Sequence, residues 1–164
     1  MDNRFFLVII PLLGLFFGYI LRKIAPEELK QGEKYFLFLR KILLFIIVIL
    51  LIDKISLSLP IILVFLAGMI PAVFLRLRYL YLGLAIVSAL QFPHERMLLI
   101  LAIICIYGLP FGTQKITNHP AKTIIIHTIL YLLPLLILLL PQGIFLVQSQ
   151  WLPVFAAGAL FLRE

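Results

Sequence analysis

"TIIIHTILYLLPLLILLLPQGIFLVQSQWLPVFAAGALFL" runs from Thr123 to Leu162 without one charged residue. How this stretch divides decides the fold. As a single helix it would reach about 60 Å at 1.5 Å per residue, roughly twice the hydrocarbon thickness of a bilayer. Pro141-Gln142-Gly143 stands at its middle, and such a tripeptide marks a turn. The stretch therefore reads as two helices, 122–140 and 143–162. Working outward, five more apolar runs precede it, at 5–22, 35–52, 56–75, 79–92 and 96–111. The second of these carries Arg40 and Lys41. The count is seven helices in an all-α chain.

Composition names the solvent those helices expect. The 164 residues are 64% hydrophobic and 13% charged, against about half and a quarter in a soluble domain. A chain of this length cannot bury so much apolar surface in water. The sequence thus predicts a polytopic membrane protein, one integral domain over residues 1–164, set in the cell membrane with the lipid bilayer as its first partner. The run 5–22 lacks an A-x-A-like cleavage site behind it and reads as a helix that stays.

Charge placement orients the helices. With the N-terminus outside and the C-terminus cytoplasmic, the cytoplasmic segments hold Arg22, Lys23, Lys30, Lys34, Arg40, Lys41, Arg76, Arg78, Lys115, Lys122 and Arg163, eleven of the 14 basic residues. Arg4, Lys54 and Arg96 are left outside. This is the positive-inside bias, and it accounts for a net charge of +7 without nucleic acid. The basic residues fall between apolar runs and do not form the basic face that nucleic acid requires. Between the first two runs, "APEELKQGEK" opens on Ala-Pro-Glu-Glu, a good helix start because proline suits the first turn and acids suit its positive dipole end. A short surface helix is expected there.

Catalysis has little to work with. All seven acidic residues, Asp2, Glu27, Glu28, Glu33, Asp53, Glu95 and Glu164, lie at run boundaries or termini. Acid–base chemistry needs titratable groups held in position, so the chain is not expected to be an enzyme. One cysteine, Cys105, excludes an internal disulfide and reads as an inert thiol. No metal-ligand spacing and no cofactor motif is present. His94, in "FPHERM", and His119, in "TNHPAK", read as residues of solvated turns.

His127 is the exception. Thr123, His127 and Tyr131 recur every four residues and share one helix face. Ser88 and Gln91, three apart, lie on a comparable face of the fourth helix. A polar stripe in a membrane must face protein or water. It forms either a hydrogen-bonding seam between helices or part of a polar, proton-sensitive path. "IYGLPFGTQK", Ile106 to Lys115, raises a second question. Gly108, Pro110 and Gly112 either end the fifth helix, as glycine followed by proline ordinarily does, or break it to line a cavity as transporters do.

Two stretches resemble a known group. "GYILRK" followed by "PEELKQGEKYFLFLRKILLF" and, later, "FPHERMLLILAIICIYGLPFG" are similar to the bile-acid, arsenite and auxin-efflux carrier superfamily. Its members open with a helix ending in Gly-hydrophobic-Leu-Leu-Arg and a short Pro-Glu-Glu linker, and carry a broken helix near Gly-Leu-Pro. The chain would be a half-length, degenerate relative, with apolar residues where the carriers place polar ones and without their inverted pair of repeats. The resemblance implies a small transporter-like protein moving a small solute or ion near Ser88, Gln91, Gly108, Pro110, Gly112, Thr123, His127 and Tyr131. The alternative is a non-catalytic subunit or scaffold of a larger membrane complex, paired with itself or with a membrane partner.

Overall fold

The computed structural model describes residues 7, 9–53, 55, 58–74, 78–112, 120–139 and 150–161. These are all-helical, with no strand among the described residues. The elements are α1 (Ile10–Ile24), α2 (Pro26–Ile52), α3 (Leu59–Phe74), α4 (Arg78–Ala89), α5 (His94–Gly112), α6 (Pro120–Leu132), a 3₁₀ segment (Leu133–Leu139) and α7 (Trp151–Phe161). The turn expected at Pro141–Gly143 lies outside the described residues, as does His119.

The ends of these helices follow local chemistry. Arg22 and Lys23 sit in the last turn of α1, beside its negative dipole end. Ala25, held off the helical region by the proline that follows, separates α1 from α2 with φ −129° and ψ 62°. Pro26 starts α2 with Glu27 and Glu28 in its first turn. No separate surface helix forms: "PEELKQGEK" is the exposed beginning of a continuous 27-residue helix, because nothing after Lys34 interrupts the hydrogen-bond ladder. Within it, Gln31–Ile52 is long and apolar enough to cross a membrane. Leu59–Phe74, Tyr79–Ala89, Ile125–Leu136 and Trp151–Phe161 are shorter apolar helical stretches.

The stretch expected as one helix over 122–140 changes form at Leu133, where the α-helix tightens to a 3₁₀ segment of 7 residues. Pro134 has no N–H to donate, and its ring crowds the carbonyl four residues back. The fourth run ends early. Main-chain bonds from Leu90 to Val87, Gln91 to Ser88 and Phe92 to Ala89 wind it into a turn.

α4 is the central element. Tyr81, Leu82, Ala85, Ile86, Val87 and Ala89 are all buried, as expected of a helix apolar on every side. It contacts α5, α6, the 3₁₀ segment and α7. α7 is small-faced, with Ala156, Ala157, Gly158 and Ala159 buried, and lies against α2, α3 and α4. The outer faces are as apolar as the core. α1 exposes Leu13, Phe16, Phe17 and Ile20, α2 exposes Phe38, Phe45 and Ile49, and α3 exposes Leu63, Leu66, Ile70 and Phe74.

The most extensive helix pair is α1 with α5, and four glycines make it. A methyl group on Gly14 would fall on the Cys105 carbonyl, and one on Gly18 on the Leu109 carbonyl. Both helices advance four residues between these meetings, so they run parallel. From the other side, a methyl on Gly108 would lie 2.7 Å from the Leu15 nitrogen and one on Gly112 2.6 Å from the Leu15 oxygen. Gly-x-x-x-Gly on both partners brings the two backbones into contact. α3 and α7 repeat the device, Gly68 facing the Phe155 carbonyl and Gly158 the Phe65 carbonyl.

Candidate functional site

The polar residues singled out by the sequence separate into three places. Gly108, Pro110 and Gly112 are not at a helix break. α5 continues through them to Gly112, with Pro110 inside its last turn. Pro110 forfeits the bond its N–H would have made to the Ile106 carbonyl but does not stop the helix, and the glycines serve the approach of α1. The reading of this stretch as a broken, cavity-lining backbone is corrected accordingly; the residues from Thr113 onward to His119 lie outside the described set.

Ser88 is fully buried, and its hydroxyl donates to the Ala85 carbonyl of its own helix at 2.7 Å. That local bond is the ordinary fate of serine inside an apolar helix. Gln91 lies in the turn after α4, with its Nε2 buried and unbonded among the described residues.

His127 and Tyr131 do meet a partner, and it is α4. The imidazole of His127 stacks on the ring of Tyr79, centroids 4.5 Å apart and planes at 22°. Four residues on in both helices, the Tyr131 carbonyl covers Gly83, so α4 and α6 run parallel in fixed register. Glycine at 83 is required because any side chain would separate them. Tyr131 is itself buried. The result is a cluster of Tyr79, His127 and Tyr131 where α4 and α6 meet. Thr128, beside it on α6, has a buried hydroxyl without a hydrogen-bond partner among the described residues. Thr123 stands in the first turns of α6, with its side chain outside the described set.

Ser88 is nine residues beyond Tyr79, about 13 Å along α4 at helical rise. By the register of the two helices it lies level with the 3₁₀ segment, not with His127. The structure therefore gathers His127 and Tyr131 and leaves Ser88 and Gln91 at the far end of α4. The cluster offers phenol and imidazole groups, which exchange hydrogen bonds and protons. No group of three metal-ligating side chains occurs among the described residues.

Three residues matter that sequence reading passed over or misplaced. Tyr79 opens the fourth apolar run and bears no signal that it would stack on a histidine. Arg40 is buried inside the apolar part of α2 and is engaged by partners, as a buried charge must be; its signal was a charge within an apolar run. Arg96 is not a residue of a solvated turn, although neighbouring His94 and Glu95 are exposed. Its Nε donates to the Leu50 carbonyl at 3.1 Å, and its Nη2 donates to the same carbonyl and to that of Asp53 at 2.8 Å. Nη1 lies 3.6 Å from the Asp53 carboxylate, and the guanidinium covers the Phe92 ring at 4.2 Å. Arg96 thus closes the C-terminal end of α2 from the first turn of α5, which sets these two helices antiparallel.

Set against known protein families, curated proteins and solved structures, the chain matches none of them.

Proposed function

We propose that the chain is an integral membrane protein with its N-terminus outside, serving as a non-catalytic subunit or scaffold of a larger membrane complex. Its membrane placement is supported by the outer faces. Phe17, Phe38, Leu63 and Phe74 stand exposed on three different helices, a surface soluble monomers do not present. Helix directions support alternate crossing for most of the chain: α1 runs parallel to α5 and α4 to α6, as alternation requires. α3 and α7 depart from it. Gly68 meets Phe155 while Phe65 meets Gly158 and Phe161, so these two run antiparallel although seven alternating spans would make them parallel.

The observation that carries the scaffold role is the continuity of α5. Its glycines are occupied by α1, and no backbone is released there toward a substrate. What remains is a rigid bundle with apolar faces suited to lipid and to partner helices. The test is purification from native membranes in mild detergent. Recovery with a second membrane protein at fixed stoichiometry is expected; a lone particle whose proteoliposomes pass solutes above empty vesicles would overturn the role.

A second reading, a small solute or ion transporter, is favoured by the cluster of Tyr79, His127 and Tyr131 and by the resemblance to the carrier superfamily. In that case His127→Leu abolishes proteoliposome flux while the protein stays folded.

A further inference from the structure

A cavity of about 280 Å³ lies among Pro71 of α3, Leu80 and Leu84 of α4, Leu133 and Pro134 of the 3₁₀ segment, and Phe155 of α7. Its origin is local. A 3₁₀ helix is tighter than an α-helix, so the chain beyond Pro134 fills less space against α4 than continued α-helix would. The wall presents no polar surface, and Tyr81 contributes only its ring. At about 30 Å³ per molecule the volume equals roughly nine waters, each needing two to four polar partners. None is available, and apolar cavities of even half this size stay dry and take up hydrocarbon. The cavity is not sealed. Leu133 on its wall is half exposed, and Ile70 and Leu136, beside wall residues in the chain, are exposed too. It therefore adjoins the apolar outer surface.

We propose that this cavity receives one acyl chain of a bilayer phospholipid, inserted sideways between the α3–α7 pair and the α4–3₁₀ pair. The proposal rests on the membrane placement argued above. The bound chain supplies the packing that Pro71 and Pro134 leave unfilled and joins the glycine-packed α3–α7 pair to the central helix.

The protein has a single tryptophan, Trp151, one helical turn before Phe155. The variant Trp151→Phe/Phe155→Trp moves the indole onto the cavity wall. Purified in detergent, it is titrated with a phosphatidylcholine dibrominated on its acyl chains. Saturable quenching at a single lipid per chain, lost when Leu84→Phe is added to fill the cavity, is the expected result. Quenching that rises only in proportion to lipid content, as for the exposed Trp151 of the unaltered protein, overturns the proposal. Saturable quenching by a dibrominated free fatty acid but not by the phospholipid overturns it too. Native mass spectrometry of the unaltered chain, expected to retain one phospholipid that Leu84→Phe loses, keeps the test decisive if the indole variant misfolds. Recovery of the chain in the soluble fraction without detergent sinks the membrane placement itself. Loss of the saturable phase in a membrane-extracted protein sinks the cavity alone.

Discussion

A methyl group at Gly14 has nowhere to go, because the Cys105 carbonyl already occupies its place. Gly14→Ala must push α1 away from α5, at the cost of about 1–3 kcal/mol typical of overfilled packing. Gly112→Ala meets the Leu15 oxygen at 2.6 Å and falls in the same range. Thermal unfolding in detergent checks both; losses below about 0.5 kcal/mol, as for unconstrained surface sites, would mean the helices do not touch there. His127 poses the other residue-scale question. His127→Leu removes the stack on Tyr79 and is expected to cost about 0.5–1.5 kcal/mol, while His127→Phe keeps most of it. A gain in stability with leucine would place the imidazole against lipid and dissolve the cluster. The four-residue recurrence of Thr123, His127 and Tyr131 was legible in the sequence, because helical periodicity is local. Their partner was not. Tyr79 belongs to a separate helix, and nothing in the intervening residues encodes the register between the two.

At the scale of elements, Arg96 sits at one end of α5 yet holds the end of α2. Its two carbonyl acceptors, Leu50 and Asp53, are orphans of the α2 C-terminus, and its charge opposes the negative end of the dipole. Arg96→Ala is expected to cost about 1.5–3 kcal/mol, the range for bonds from a charged donor. Arg96→Lys recovers only part, since an ammonium lacks the planar fork. Asp53→Asn costs less than about 1 kcal/mol, because the carboxylate is half exposed and its pairing screened. Denaturation curves for the three variants, with hydrogen exchange at the end of α2, would show it; equal losses for Arg96→Ala and Asp53→Asn would make the ion pair, not the cap, the cause. Local signals gave the helices in order but not all their bounds. α2 begins at Pro26, not at 35, and the 3₁₀ segment that Pro134 produces lies inside a stretch expected as one helix over 122–140. At Gly-Leu-Pro-Phe-Gly they offered a helix end or a break and missed a packing face. Glycine next to proline is a stop signal when it faces solvent and a packing face when another backbone lies against it, and residues 108–112 read alike in both cases.

At the scale of the whole molecule, the orientation of the helices in the membrane has one accessible check. In a background of Cys105→Ala, single cysteines at the exposed Lys34 and Glu95 should react with impermeant maleimide from opposite faces of the membrane, Lys34→Cys from the cytoplasmic side and Glu95→Cys from outside. Labelling of both from one face would remove the alternation of crossings between α2 and α5. The sequence by itself determined that the chain is helical, in what order its helices come, and that the run from Thr123 could not be one straight helix. Each of these follows from hydrophobic period, proline and length, which neighbours in the chain settle among themselves. Only the tertiary structure decided what each face meets: Gly14 against Cys105, Tyr79 against His127, Arg96 on the last carbonyls of α2, and an empty space beside Pro134. Those contacts join segments far apart in the chain. A glycine, an arginine or a proline has the same local chemistry whichever distant backbone comes to lie against it.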